Sequence, residues 1–135
     1  LIYDYADGLR SCISNLQEDD KNINKLQINL NNFYFFTKGF LESVINIITF
    51  NEVMSLIKGL KIITYECALR FLTDYIENDV YFKTQYCSHN LVRTKNQIAL
   101  LDEIINKEKD FEKIIKKGGT LIPPFFIYQS NYLLI

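Results

Sequence analysis

The residues best placed to do chemistry lie in one stretch, where Glu66, Arg70 and Asp74 recur every four positions. In a helix that spacing puts all three on one side, and a Glu placed N-terminal to a cation is the favourable order for a helical ion pair. A solvated row of paired charges needs no ligand. This row, however, runs along a segment that is otherwise apolar. A partly buried guanidinium flanked by carboxylates can face a cleft and orient a polar ligand there. Both readings stand for Arg70. Tyr81 follows in the apolar connector Val80-Tyr81-Phe82. A phenol there is either core with a satisfied hydroxyl or a ring that stacks on a sugar and hydrogen-bonds to it.

Other candidates are weaker. Asp4 and Asp7, three residues apart, share a face of a helical turn. They could bind a metal, but with no further carboxylate or histidine close by, capping and bracing of backbone amides is the better reading. The single histidine, His89, stands beside Asn90 at a helix start, which suits a local hydrogen bond. Cys12, Cys67 and Cys87 are odd in number, widely spaced and form no C-x-x-C pair, so reduced, buried thiols in a cytoplasmic protein are expected. The usual catalytic signatures are missing. Gly118-Gly119 lacks the spacing and the Lys-Ser/Thr of a P-loop, and there is no G-x-S-x-G elbow and no H-E-x-x-H. A net charge of −1 leaves no electrostatic footprint for nucleic acid or an anionic membrane. The lysines from Lys107 to Lys117 are interleaved with Glu108, Asp110 and Glu112, as on a solvated helix.

The elements that must position these residues are helical. Phe33, Phe36, Phe40, Leu41, Val44, Ile45 and Ile48 recur at helical spacing behind a cap at Asn31 or Asn32, predicting a helix over 32–48. Thr49-Phe50-Asn51-Glu52 fits a capping box, opening a short helix to about Lys58, with Gly59 as a turn or kink. Leu60 to Glu77 predicts the strongest helix. Its apolar stripe is Ile62, Tyr65, Leu69, Leu72 and Ile76, widened by Leu60, Cys67, Phe71 and Tyr75, so it should be largely buried. A further helix, capped at Ser88 or Asn90, runs to about Lys107 with a charged continuation to Lys117, and buries Leu91, Ile98, Leu101 and Ile105. Before Asn31 the periodicity is poor: a short helix near Tyr3 to Arg10, then a polar loop over Gln17 to Asn24. Gly118-Gly119 closes the helical portion 1–117 and leaves 118–135, with Pro123-Pro124, as an apolar tail of uncertain origin. Leu1 to Arg10 lacks the basic start of a signal peptide, and the most apolar stretch, Leu60 to Ile76, carries Lys61, Glu66, Arg70 and Asp74 and does not suit a membrane span. The chain opens on Leu1 and its only methionine is Met54, so a trimmed or fragmentary sequence is expected.

The run from Thr64 to Phe82, with Glu66-Cys67-Ala68-Leu69-Arg70-Phe71-Leu72-Thr73-Asp74-Tyr75 at its centre, resembles a segment of bacterial phosphotransferases of the aminoglycoside phosphotransferase type, closest to N-acetylhexosamine 1-kinases. Two other blocks, Tyr3 to Arg10 and His89 to Gln97, resemble the same C-terminal region in the same order, so the resemblance spans roughly Leu1 to Lys107. It implies a kinase-like fold, of which this chain is the mainly α C-terminal subdomain walling the acceptor pocket. It implies a parent enzyme that moves the γ-phosphate of ATP, with magnesium, to the anomeric hydroxyl of a sugar such as an N-acetylhexosamine. Arg70 and Tyr81 match sugar-contacting positions, Glu66 the partner that fixes Arg70, and Asp4 and Asp7 positions that brace the catalytic region.

That family's catalytic loop has the pattern His-x-Asp-x-x-x-x-Asn, with a metal-binding Asp downstream, and no His-x-Asp occurs in this chain. The chain alone is therefore expected to bind neither ATP nor magnesium and to show no turnover, its missing partner being the N-terminal kinase lobe. Two rivals remain: a kinase for another acceptor (an aminoglycoside, choline or homoserine), and a non-catalytic helical interaction module. An acidic cleft would favour an aminoglycoside; an exposed apolar face on the helix that starts near Asn32 would favour the module.

Overall fold

The computed structural model describes residues 1–117, so the expectations for the tail after Gly118 lie outside the described residues. Five α-helices follow one another: α1 (Ile2–Cys12), α2 (Leu30–Val44), α3 (Phe50–Ile76), α4 (His89–Asn106) and α5 (Glu108–Lys117), with a 3-10 turn at Ile23–Lys25. The chain is thus mainly α, as its periodicity predicts.

The opening segment is more ordered than its weak periodicity suggests. Helix α1 buries Tyr5, Ala6 and Leu9 along one side. Behind it, Ile13 and Asn29 tie the two ends of the following loop together: the Asn29 amide donates to the Ile13 carbonyl at 2.8 Å, and Ser14 and Ile28 form an antiparallel bridge. Asn29 also caps α2, its side chain accepting from the amides of Asn31 and Asn32. The cap therefore falls just before the Asn31 or Asn32 that the sequence suggests, because Asn29 comes first in a row of residues able to fold a side-chain oxygen back onto the backbone. The helix ends at Val44, short of Ile48, since the chain must turn before the next cap at Thr49.

The capping box forms as expected. Thr49 Oγ1 accepts from the Glu52 amide at 3.3 Å, and the Glu52 carboxylate accepts from the Thr49 amide at 2.8 Å. The expected break at Gly59 does not form: α3 runs through it as one helix of 27 residues. Gly59 is there for closeness. Ile2 of α1 crosses so near that an added Cβ would collide with its Cγ2 methyl. Gly59→Ala is expected to lose about 1 kcal/mol net, because overpacking at ~1–3 kcal/mol outweighs the ~1 kcal/mol gained in helix propensity. Combining it with Ile2→Ala, which empties the same space, should recover stability. Denaturant midpoints of the two single variants and the double variant check this, and simple additivity of the losses would refute the crossing as the cause.

The core joins Tyr5, Leu9 and Ile13 of the opening segment to Phe33 and Leu41 of α2, Leu56 and Leu60 of α3, Leu100 and Ile104 of α4, and Phe111 and Ile115 of α5. Phe33 stacks on Phe111 with centroids 4.2 Å apart. The buried Tyr5 hydroxyl is satisfied by Thr37 Oγ1 at 2.8 Å, and burial pushes its pKa well up.

The expected faces of α3 and α4 are turned. Ile62, Tyr65, Leu69 and Ile76 lie exposed, Ile76 at 69%; Leu60 and Phe71 from the flank of the expected stripe are buried as expected, together with Val53, Leu56, Thr64 and Ala68. On α4, Ile98 and Ile105 are exposed and Asn90, Thr94, Asn96 and Gln97 are buried with Leu100 and Ile104. The cause is hydrogen bonding. Asn96 donates to the Gln17 carbonyl, Gln97 accepts from Arg10, and Asn90 donates to Asp74, so the polar side of α4 closes inward onto partners that sequence periodicity does not show. Among the described residues, no helix is long and apolar enough to cross a membrane.

Candidate functional site

A cleft of about 900 Å³ opens between α1 and the middle of α3, closed at one end by the connector and by Arg93 of α4. It collects Asp4, Asp7 and Arg10 from α1, Glu18 from the first loop, Glu66, Cys67 and Arg70 from α3, and Phe82 and Lys83 from the connector. Four of the five residues singled out in the sequence thus share one cavity. The fifth, Tyr81, borders an adjoining hollow of about 440 Å³ together with Glu66, Arg70, Asp74 and Phe82. Arg70 and Glu66 belong to both.

Arg70 differs from the expected ion pair. Among the described residues its guanidinium makes no hydrogen bond or salt bridge, to Glu66 or to any other group. It lies instead over two rings, 5.7 Å from the Tyr81 centroid and 5.4 Å from that of Phe82. Both Arg70 and Tyr81 are exposed, not partly buried as the surrounding apolar run suggests. A guanidinium held by aromatic faces keeps its five N–H donors for something else.

Asp74 also leaves the expected charge row. It is buried at 3% exposure and turns toward the connector. Its Oδ1 accepts from the Tyr81 amide at 2.7 Å, and its Oδ2 from the Phe82 amide at 2.9 Å and from Asn90 Nδ2 at 2.8 Å. Asn90 donates also to Asp79 and accepts from Arg93, which reaches on to the Lys83 carbonyl. Asn78 and Asp79 take positive φ of 66° and 58° to reverse the chain, a conformation Asn and Asp tolerate better than most residues. Desolvation pushes the Asp74 carboxyl up, but the amides of Phe82, Tyr81 and Val80 and the Asn90 side chain together outweigh it and hold its pKa below the ordinary 3.8. The sign follows: the stabilisation is complete above pH 3.8 and is lost as pH falls through the lower, folded-state value. Hydrogen exchange on acidification should therefore show the Tyr81 and Phe82 amides losing protection in that window; amides that stay protected well below it would refute the assignment.

Asp7 braces α1 through a side chain: it lies 3.0 Å from Arg10 Nη2. Arg10 is the centre of this group, with Glu18 at 2.7 Å and Gln97 at 3.0 Å from Nη1. Burial lowers its pKa, but Cys67, Glu18 and Asp7 more than compensate and raise it. Cys67 is no activated thiolate, since burial pushes its thiol up more than the neighbouring Arg10 pulls it down. Of the free cysteines, Cys12 and Cys67 are partly buried and Cys87 is exposed, where buried thiols were expected. His89 takes the local role its position suggests at one nitrogen only: Nδ1 accepts from the Gln85 amide at 3.2 Å, while Nε2 faces Asp19, distant in sequence, at 3.1 Å.

Sequence reasoning missed Arg10, Gln97 and Arg93. The contacts that bring them to the cleft, Arg10 with Gln97 and Arg93 with Phe71, join residues far apart in sequence, so no local spacing marks them. Among the described residues, no group of three or more His, Cys, Asp or Glu side chains is arranged to hold a metal ion. No protein-family model matches the chain.

Proposed function

We propose that this chain is the acceptor-binding helical part of an ATP-dependent small-molecule kinase acting on a sugar such as an N-acetylhexosamine. The observation that supports it best is Arg70: a guanidinium without a polar partner among the described residues, seated on Tyr81 and Phe82 at the junction of two hollows. Such a group suits a neutral, oxygen-rich ligand. Arg70 donates to ring-substituent or acetamido oxygens, Glu66 accepts from hydroxyls, and the exposed Tyr81 ring offers an apolar face to the sugar. These groups bind and orient, which is the larger part of what a phosphoryl-transfer enzyme asks of its acceptor lobe.

The charge of the cleft favours a sugar over an aminoglycoside. Arg10, Arg70, Lys83 and Arg93 balance Asp4, Asp7, Glu18 and Glu66, whereas a polycation calls for a net acidic wall. In this reading ATP and magnesium, which neutralises the phosphates, are bound by a kinase lobe outside these residues, and no step at phosphorus is assigned to this chain. The exposed stripe Ile62, Tyr65, Leu69 and Ile76 lends some support to the other reading, a non-catalytic interaction module, because it can serve as a contact face for another protein as well as for that lobe.

The test is the coding sequence immediately upstream of Leu1. A His-x-Asp-x-x-x-x-Asn segment followed by an Asp shortly before Leu1, with N-acetylhexosamine phosphorylation by the whole product, is the expected result. A start codon close to Leu1 without that segment would overturn the kinase reading and leave the interaction module.

A further inference from the structure

Arg70 has nothing polar to hold it among the described residues, so its direction must come from the rings beneath it. Those rings sit on a connector with no regular structure of its own, between the end of α3 at Ile76 and the start of α4 at His89. Something must fix that backbone. The only buried carboxylate among the described residues does so: Asp74 accepts both connector amides that carry the rings, those of Tyr81 and Phe82. Asn90, fully buried, holds the carboxylate from the α4 side. Phe82 is further packed against Phe71, with centroids 4.8 Å apart, and Phe71 lies under Arg93 at 5.5 Å. Each layer rests on the one below it, from Asp74 to the backbone, to the rings, to the guanidinium.

We propose that Asp74, backed by Asn90, is a positioning residue that sets the direction of Arg70 at the cleft by clamping the Tyr81–Phe82 backbone. That Arg70 then meets a sugar rests on the function proposed above; the clamp itself does not.

The chemistry is specific to a carboxylate. Three N–H donors converge on Asp74: two amides and the Asn90 side chain. A carboxylate has acceptor sites for all three, whereas an isosteric amide brings an NH2 of its own to face at least one of those donors. A donor turned on a donor in a buried site leaves both unsatisfied. Asp74→Asn therefore opens the clamp with almost no change in volume.

The test uses the 135-residue chain and reads the stack directly. The ring currents of Tyr81 and Phe82 should displace the Arg70 Nε–H proton resonance. In Asp74→Asn it should return toward the free-arginine position, and the Tyr81 and Phe82 amides should exchange about 10–100-fold faster, as expected for loss of bonds to a buried charged acceptor, while core amides of α1 and α2 keep their rates. An unchanged Arg70 resonance in folded Asp74→Asn overturns the proposal. Should that variant fail to fold, Asn90→Ser, which removes one donor and leaves both backbone bonds, should move the resonance by less but in the same direction; no movement there overturns it equally.

Titration with N-acetylglucosamine separates the two claims. Sugar bound by the wild type, and bound about 10-fold more weakly by Asp74→Asn, supports both. A wild type that binds no sugar, but whose Arg70 resonance collapses in Asp74→Asn, sinks the sugar reading and leaves the clamp standing.

Discussion

Phe33→Ala should cost a large share of the stability of the chain. Phe33 is fully buried and stacks on Phe111, linking α2 to α5, the last helix among the described residues. Removing a buried phenyl ring costs ~3–5 kcal/mol in lost transfer energy and residual cavity. Domains of this size hold roughly 5–15 kcal/mol in total. Among the described residues α5 is held by Phe111 and Ile115 in the core, by Ile114 against it and by the Lys61–Glu108 ion pair, so the lost ring should loosen α5 before the rest melts. Thermal denaturation followed by circular dichroism should show Tm falling by ~10–20 °C, with a broadened transition. A drop of only a degree or two would mean that α5 is not part of the cooperative unit.

Arg70→Ala should have the opposite signature. The side chain is exposed, makes no hydrogen bond or salt bridge among the described residues and lies over two rings, so the stability change should stay within ~1 kcal/mol. Acceptor affinity, by contrast, should fall about 10–100-fold, the equivalent of ~1.5–3 kcal/mol for charge-assisted hydrogen bonds. Arg70→Lys should recover little, because an ammonium lacks the planar fork and stacks less well on aromatic faces. Calorimetric titration of N-acetylglucosamine beside a thermal melt measures both quantities. A large loss of Tm with unchanged affinity would make Arg70 a structural residue.

How much of this was legible in the sequence depended on the range of the interactions. The capping box at Thr49 and Glu52 and the bond of His89 to the Gln85 amide could be read because the partners lie within four residues of each other, whereas the contact of His89 with Asp19 could not. The helical character of α2, α3 and α4 could be read because periodicity is local too. Which side of α3 and α4 faces inward could not. Apolar residues define a stripe, but Asn90, Asn96 and Gln97 are buried by partners as distant in sequence as Gln17 and Arg10, and those bonds decide the rotation of α4. Gly59 failed as a sequence signal for a related reason. A glycine marks either a turn or a close approach, and only the position of Ile2 tells the two apart. At the site, Asp4, Asp7, Glu66 and Arg70 line one cleft and Tyr81 the hollow beside it, but the pairing of Glu66 with Arg70 gave way to aromatic stacking, because the connector folds back over α3 instead of leaving it.

The unbroken course of α3 has a mechanical consequence. From Gly59, where Ile2 bears on it, to Arg70 is about 16 Å at a rise of ~1.5 Å per residue. A helix this well bonded behaves as a stiff lever with its fulcrum at that crossing. A tilt of about 5° there would swing Arg70 by roughly 1.4 Å, while misplacements of ~1 Å can cost about 100-fold in rate where two reactants must be aligned. The methyl group of Ile2, remote from the cleft floor and without any polar atom, is thus in a position to aim the site.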